Sequence, residues 1–187
     1  MNLKKFNFKT INSTNDLAIR IIKNRNIESG IVIAEKQIKG RGQYGKKWTS
    51  YKGNLFVSIF FSIDQVKLSL SKLTILNCLL VKKLISDFYN GKILIKKPND
   101  LFIDKKKVSG ILQETISKSK KKFIIVGVGI NLIKSPKIKA YPTTSLFDLT
   151  NVKINSYNTA LKLKKLYEKF IPILPKINIK NINKILK

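Results

Sequence analysis

The stretch Gly40-Arg41-Gly42-Gln43-Tyr44-Gly45-Lys46-Lys47-Trp48 places three glycines in six residues, spaced as G-x-G-x-x-G. The spacing admits a dinucleotide-binding turn, a basic patch for nucleic acid, or a loop built for some other anion. Its flanks separate these. Gly30 to Gln37 (GIVIAEKQ) is an apolar run that reads as a buried strand, and Asn54 to Ile63 (NLFVSIFFSI) reads as another. A dinucleotide-binding turn needs a helix opening at the glycines and an acidic residue about 20 positions later. Lys46 to Lys52 has no helical stripe, a strand follows, and the nearest candidate acid, Asp64, lies beyond a hydrophobic run. A P-loop fails as well, because no Gly-Lys-Ser/Thr closes the motif.

Outward from the loop, Ser13 can cap a helix whose apolar stripe is Leu17, Ala18, Ile21 and Ile22. Ser69 to Asn90 is the longest helix candidate. Short strand signals follow in KILIK, LFID, KVSGILQETI and KFIIVGVGIN, with Asp104 to Lys107 and Ser117 to Lys122 as hairpin turns. A long loop is expected after Asn131, then a helix near Ser156 to Phe170. The order is β-α-β-β-α, several neighbouring strands, then α. Strands joined by short turns pair antiparallel, so the expected class is α+β, with a mixed, largely antiparallel sheet and flanking helices. Residues 1–171 read as one domain and 172–187 as a short basic, weakly ordered tail.

A chain of 187 residues with 43% hydrophobic content suffices for one domain with a real core. No apolar run nears the ~18 residues of a bilayer span, and the opening MNLKKFNFKTINSTND lacks a signal-peptide core. The cytoplasm is the expected compartment and no membrane partner is expected. Cys78 is the single cysteine and histidine is absent, which excludes disulfides, zinc sites and His-dependent mechanisms. The net charge of +28 invites a nucleic-acid function. However, of 38 basic residues only Arg20, Arg25 and Arg41 are arginines, and the lysines are scattered. Lys, Ile and Asn are abundant together, as A+T-rich codons at permissive positions would produce. Arg forks and aromatic stacking surfaces do not cluster. The charge therefore reads as a diffuse solvated surface, with nonspecific polyanion binding at low salt.

Glycines suit close backbone approach, and Arg41, Lys46 and Lys47 make the ligand of the loop anionic; a surface hairpin with incidental charge is the alternative. Ser13, Thr14 and Asn15 sit at a helix start, where capping competes with binding. Pro98-Asn99-Asp100 taken alone is an ordinary turn, and Lys107 alone a hairpin lysine. Glycines at 127 and 129 weaken a strand unless something approaches closely. Gly110 and Gly129 are either such approach points or bulges.

Together these segments resemble the biotin–protein ligases. The family pattern is S-T-N, then E-x-Q-x-x-G-R-G-x-x-G-x-x-W, then K-W-P-N-D with a lysine eight residues after its Asn, then G-I-L-x-E and G-x-G-I-N. This sequence supplies Ser13-Thr14-Asn15, Glu35, Gln37, Gly40-Arg41-Gly42, Gly45 and Trp48. It continues with Lys96, Pro98-Asn99-Asp100, Lys107, Gly110-Ile111-Leu112, Glu114 and Gly127-Val128-Gly129-Ile130-Asn131. The resemblance implies a core like that of class II aminoacyl-tRNA synthetases and a two-step reaction. Biotin is activated by ATP as biotinyl-5′-AMP, then passed to a lysine of the biotin carboxyl carrier domain of acetyl-CoA carboxylase, with Mg²⁺ at the phosphates. It implies Arg41 and Lys107 as the principal cations. Biotin contacts fall to Ser13, Thr14, Asn15, Gln37, Arg41, Gly42, Gln43, Lys107 and Gly110. The nucleotide end falls to Gly40, Gly45, Trp48, Asn99, Asp100 and Asn131, the last three also facing the metal that accompanies the phosphates. No residue is assigned as a resident metal ligand. A lipoate or octanoate ligase of the same fold is the enzymatic alternative, although its R-R-x-x-G-G-G segment has no counterpart here. A decayed, non-catalytic biotin binder is the other.

Three departures from the pattern stand out. Gln43 and Tyr44 occupy positions frequently basic in the family, which predicts leakage of the adenylate unless Lys46 or Lys47 compensates. Lys97 stands where tryptophan is usual, removing an apolar surface beside the Pro-Asn-Asp turn. No room is seen before Ser13 for a helix-turn-helix domain, so no specific DNA partner is expected. The residues after Phe170 are too few for the small β-domain that usually follows, which predicts a raised KM for ATP or carrier, or a partly impaired enzyme. A homodimer is left open.

Overall fold

The structure is a computed structural model and describes residues 1–177. Strands β1 (Lys4–Ile11), β2 (Gly30–Gln37), β3 (Leu55–Ser62), β4 (Leu94–Lys96), β5 (Asp100–Ile103), β6 (Lys106–Lys118) and β7 (Lys121–Ile130) form one seven-stranded sheet. Their spatial order is β1-β2-β3-β7-β6-β5-β4. β1 and β2 run parallel, joined through helix α1 (Thr14–Asn24). The other neighbouring pairs are antiparallel. The sheet is thus mixed and largely antiparallel, as the short turns require. Both hairpin turns lack glycine and still place two residues at positive φ, Asp104-Lys105 and Ser119-Lys120, the backbone that matches strand twist in two-residue turns.

Alternation along the strands sends side chains to two faces. Ile31, Ile33, Val57, Ile59, Phe61, Ile124, Val126 and Val128 face helices α2 (Leu70–Ser86) and α4 (Ser156–Phe170) in the larger core. On the opposite face, α1 lays Ala18, Ile21 and Ile22 against Val32, Phe60, Phe123 and Ile125. Ser13 caps α1, accepting from the Asp16 N–H. Near that N-terminus the same sheet face changes from Phe123 and Ile125 to Gly127 and Gly129.

Within the loop expected after Asn131 lies a short helix, α3 (Leu146–Thr150), with a capping box between Ser145 and Asp148. A 3-10 helix, Ile171–Lys176, runs from the expected end of the domain into the tail expected over 172–187, and Leu174 is buried in the larger core; residues 178–187 lie outside the described residues. No helix among the described residues is long and apolar enough to cross a membrane.

Candidate ligand-binding site

The glycine loop is a small hairpin between β2 and β3. Arg41 and Lys47 form its bridge, the Trp48 N–H donates to Gly40 O (2.9 Å), and the Gly42 N–H donates to Lys46 O (2.6 Å). Its tip, Gln43–Gly45, is a 3-10 turn with Tyr44 and Gly45 at positive φ. Gly45 has open space around a would-be Cβ, so its φ of 73° is what favours glycine there. The hairpin rims a cleft of about 240 Å³ on the glycine face of the sheet.

The floor of this cleft is glycine because an indole lies on it. A Cβ on Gly129 would stand 2.5 Å from Trp48 Cε2 and Cζ2, and one on Gly110 would stand 2.8 Å from Cζ3. Gly110 and Gly129 are directly paired across β6 and β7. The register irregularity falls elsewhere, between Leu101 and Phe102 of β5. Close approach, by Trp48, therefore explains these glycines, and bulging does not. The Trp48 Nε1–H is buried with no hydrogen-bond partner among the described residues.

Lys107 enters the cleft from β6. Its ammonium is 2.8 Å from Asp100 Oδ1, and the side chain is 13% exposed. Ring centroids of Trp48 and Tyr141 lie 5.5 and 5.2 Å from Nζ. A carboxylate and two aromatic rings thus hold one positive charge in a shielded position. The backbone of Lys107 is held too: its N–H donates to Pro142 O and its carbonyl accepts from the Thr144 N–H.

At the other end, Gln37 Oε1 accepts from the Thr14 N–H (2.8 Å) and hydroxyl (3.0 Å), while its Nε2 donates to Ser50. Asn15 is buried and fully used. Its Oδ1 accepts from the Ser58 hydroxyl, and its Nδ2 donates to Leu112 O and Glu114 Oε2. These bonds fix the start of α1 to β2, β3 and β6. Arg41 makes a two-pronged contact with Glu114 (3.0 and 2.8 Å) and a single contact with Asp16 (2.6 Å). The hydrogen bond to Glu114 is the main cause that raises the Arg41 pKa above its ordinary value.

Ser13, Thr14, Asn15, Gln37, Arg41, Gly42, Gln43 and Trp48 all line the cleft, and so do Asn99, Asp100, Lys107 and Gly110 from the other strands. Gly40, Gly45 and Asn131 do not. Gly40 sits under the hairpin base, where a Cβ would be 2.7 Å from Trp48 O. Asn131 is buried behind the cleft; its Nδ2 donates to Thr144 O and its own N–H to Val108 O, fixing the loop that carries Tyr141. Lys97 is exposed and precedes a cis bond to Pro98. The turn is held by Asn99, whose Nδ2 donates to Ile111 O and whose carbonyl accepts from the Ile111 N–H. Lys46 and Lys47 line the cleft beside Gln43. Sequence reasoning missed Tyr141 and the pairing of Arg41 with Asp16 and Glu114. The capping box at Ser145 and Asp148 was the readable sign that the segment carrying Tyr141 is ordered.

Fold and site combine a mixed sheet with a glycine floor, a basic hairpin over it, and a lysine caged by a carboxylate and two rings. The chain belongs to the biotin/lipoate A/B protein ligase family, whose model matches residues 7–131. Among solved structures it is similar to the biotin protein ligase from Aquifex aeolicus in complex with biotin and ATP. The TM-score is 0.81 at 26% identity, covering 98% of this chain and 77% of that one. The bifunctional ligase/repressor BirA of Bacillus subtilis is 32% identical over 128 residues, 67% of this chain and 39% of that protein. The biotin--[acetyl-CoA-carboxylase] ligase of Mycobacterium tuberculosis is 30% identical over 146 residues, 73% of this chain and 52% of that protein. The chain thus spans about half the length, or less, of these two curated relatives.

Proposed function

We propose that residues 1–171 are the catalytic domain of a biotin–protein ligase that makes biotinyl-5′-AMP and transfers biotin to a carrier lysine. The observation that carries this is the Lys107 ammonium, held by Asp100, Trp48 and Tyr141 over the Gly110–Gly129 floor. One shielded cation of this kind suits a cleft in which two anions are to meet. In the first step a biotin carboxylate oxygen attacks the α-phosphorus of ATP; a P–O bond forms, the bond to pyrophosphate breaks, and pyrophosphate leaves with the electron pair. In the second, the neutral amine of a carrier lysine attacks the acyl carbon, AMP departs, and the amine loses its proton to solvent. No covalent enzyme intermediate is needed, in keeping with a cleft that offers no histidine or cysteine.

The work left to the protein is positioning and charge stabilisation. Thr14 and Gln37 form a fixed polar end suited to the ureido ring of biotin, Lys107 and Arg41 supply positive charge, and Trp48 offers a face to adenine. Magnesium would accompany ATP as part of the substrate and offset phosphate charge. Among the described residues no group of three or more acidic, cysteine or histidine side chains could hold a resident ion, and Asp100 is already paired with Lys107.

The test is incubation with biotin, Mg·ATP and the biotin carboxyl carrier domain of acetyl-CoA carboxylase, followed by mass spectrometry of the carrier. One biotinyl group per carrier is the expected product, and unmodified carrier contradicts the proposal. Lipoate with a lipoyl domain as acceptor, in a parallel reaction, separates this chemistry from the other branch of the family.

A further inference from the structure

We propose that Glu114 and Asp16 form a two-part latch on Arg41. Glu114 is the fixed holder that positions the guanidinium, and Asp16 is the exchangeable partner that yields its place to the incoming anion. The latch rests on the ligase reading of the cleft and adds to it two positioning residues with opposite effects on substrate affinity.

The two carboxylates are held differently. Glu114 lies on β6 in the middle of the sheet, is 26% exposed, and engages both terminal nitrogens of Arg41. Its Oε2 also accepts from Asn15 Nδ2 at 2.7 Å, so releasing it would uncouple the buried bonds of Asn15. Asp16 lies in the first turn of α1, is 42% exposed, and makes one contact at 2.6 Å. Water can take over that contact at small cost, because exposed single pairs are weak.

Charge supplies the reason for exchange. One guanidinium between two carboxylates sums to −1, so the trio itself offers an anion no net attraction until Asp16 is released, although Lys46, Lys47 and Lys107 line the same cleft. Glu114 and Asp16 engage three of the five guanidinium N–H donors, so it is charge and not donor count that favours release of Asp16. A substrate carboxylate or phosphate reaching Arg41 therefore takes the place of Asp16, while Glu114 keeps the fork aimed. Because Arg41 also closes the hairpin through its bridge with Lys47, the latch fastens the glycine loop to α1 and β6 before substrate arrives.

Hydrogen exchange on the ligand-free protein tests the fixed half at the amides that close the hairpin, Gly42, Lys46 and Trp48. Glu114→Gln should speed their exchange by about tenfold or more, the loss of a charge-assisted pair, and Asp16→Asn by no more than about fivefold. Steady-state assays test the exchangeable half. Asp16→Asn should lower KM for biotin by about twofold to fivefold, while Glu114→Gln should raise KM and lower kcat. A merely structural staple would not lower KM in either variant. Native-like exchange in Glu114→Gln, or a raised KM in Asp16→Asn, overturns the latch. The exchange arm needs no ligand, so its failure leaves the ligase reading standing. Absence of turnover in the native protein overturns that reading and the Asp16 exchange with it.

Discussion

On β7, Ile124, Val126, Val128 and Ile130 point into the core formed with α2 and α4, whereas the intervening Gly127 and Gly129 lie against Asn15 and Trp48. One strand in one register thus serves two purposes. The α2/α4 face is filled by buried apolar side chains. Burial pushes the Cys78 thiol up to about 12, and the Tyr167 hydroxyl donates to Asn77, which donates on to Gln113. Burial likewise raises the Tyr167 pKa, so neither the Cys78 thiol nor the Tyr167 hydroxyl ionises near neutral pH. The glycine face gives up side chains so that an indole, an ammonium and a polar helix start can converge. Stability and chemistry are therefore separable by face, and substitutions on each should fail in different assays.

The largest expected effect is on the glycine face. Lys107→Ala should lower biotin-dependent adenylate formation by about a hundredfold or more, the scale of losing a preorganised charge donor, with secondary structure retained by circular dichroism. Lys107→Arg keeps the charge and loses the fit between Trp48 and Tyr141, so only partial recovery is expected. On the packed α2/α4 face, Ile124→Ala should cost about 2–5 kcal/mol of unfolding free energy in urea titration. The folded fraction should keep its activity. An activity loss beyond the unfolded fraction would break the separation of the two faces.

Gly129→Ala lies between these cases. Its Cβ meets the Trp48 ring at 2.5 Å, so roughly 1–3 kcal/mol of overpacking is expected. In a Trp48→Ala background that penalty should vanish. Trp48 is the only tryptophan, so its fluorescence reports the displaced indole directly. The smallest effect is at Glu168 of α4, outside the larger core. Burial raises the Glu168 pKa, but hydrogen bonds from Lys164 and the Leu3 N–H outweigh it and hold the value below the ordinary carboxylate range. Stability from that group is present above the unfolded value of about 4.3 and is lost as pH falls through the lower folded value. Glu168→Gln should therefore cost less than about 1 kcal/mol at pH 7, a difference that closes on acidification.

What could be read in the sequence was local and periodic. The strands from β2 to β7 announced themselves as apolar runs between polar turns, and α1 as a stripe behind a Ser13 cap. Segments with glycine at fixed spacing pointed to one cleft. The pairing of Arg41 was not legible, because Asp16 and Glu114 lie 25 and 73 residues away and only sheet register brings them together. Tyr141 was missed because no periodicity marks an irregular segment, even one pinned by Asn131. The glycines at 110 and 129 were legible as points of close approach, but not the fact that Trp48 itself makes the approach.

The most direct test of the central claim is pyrophosphate release from Mg·ATP by the purified protein, with biotin, with lipoate, and with neither. Release that requires biotin, ignores lipoate and disappears in Lys107→Ala is the predicted result. Equal release with all three, or none with biotin, would contradict it.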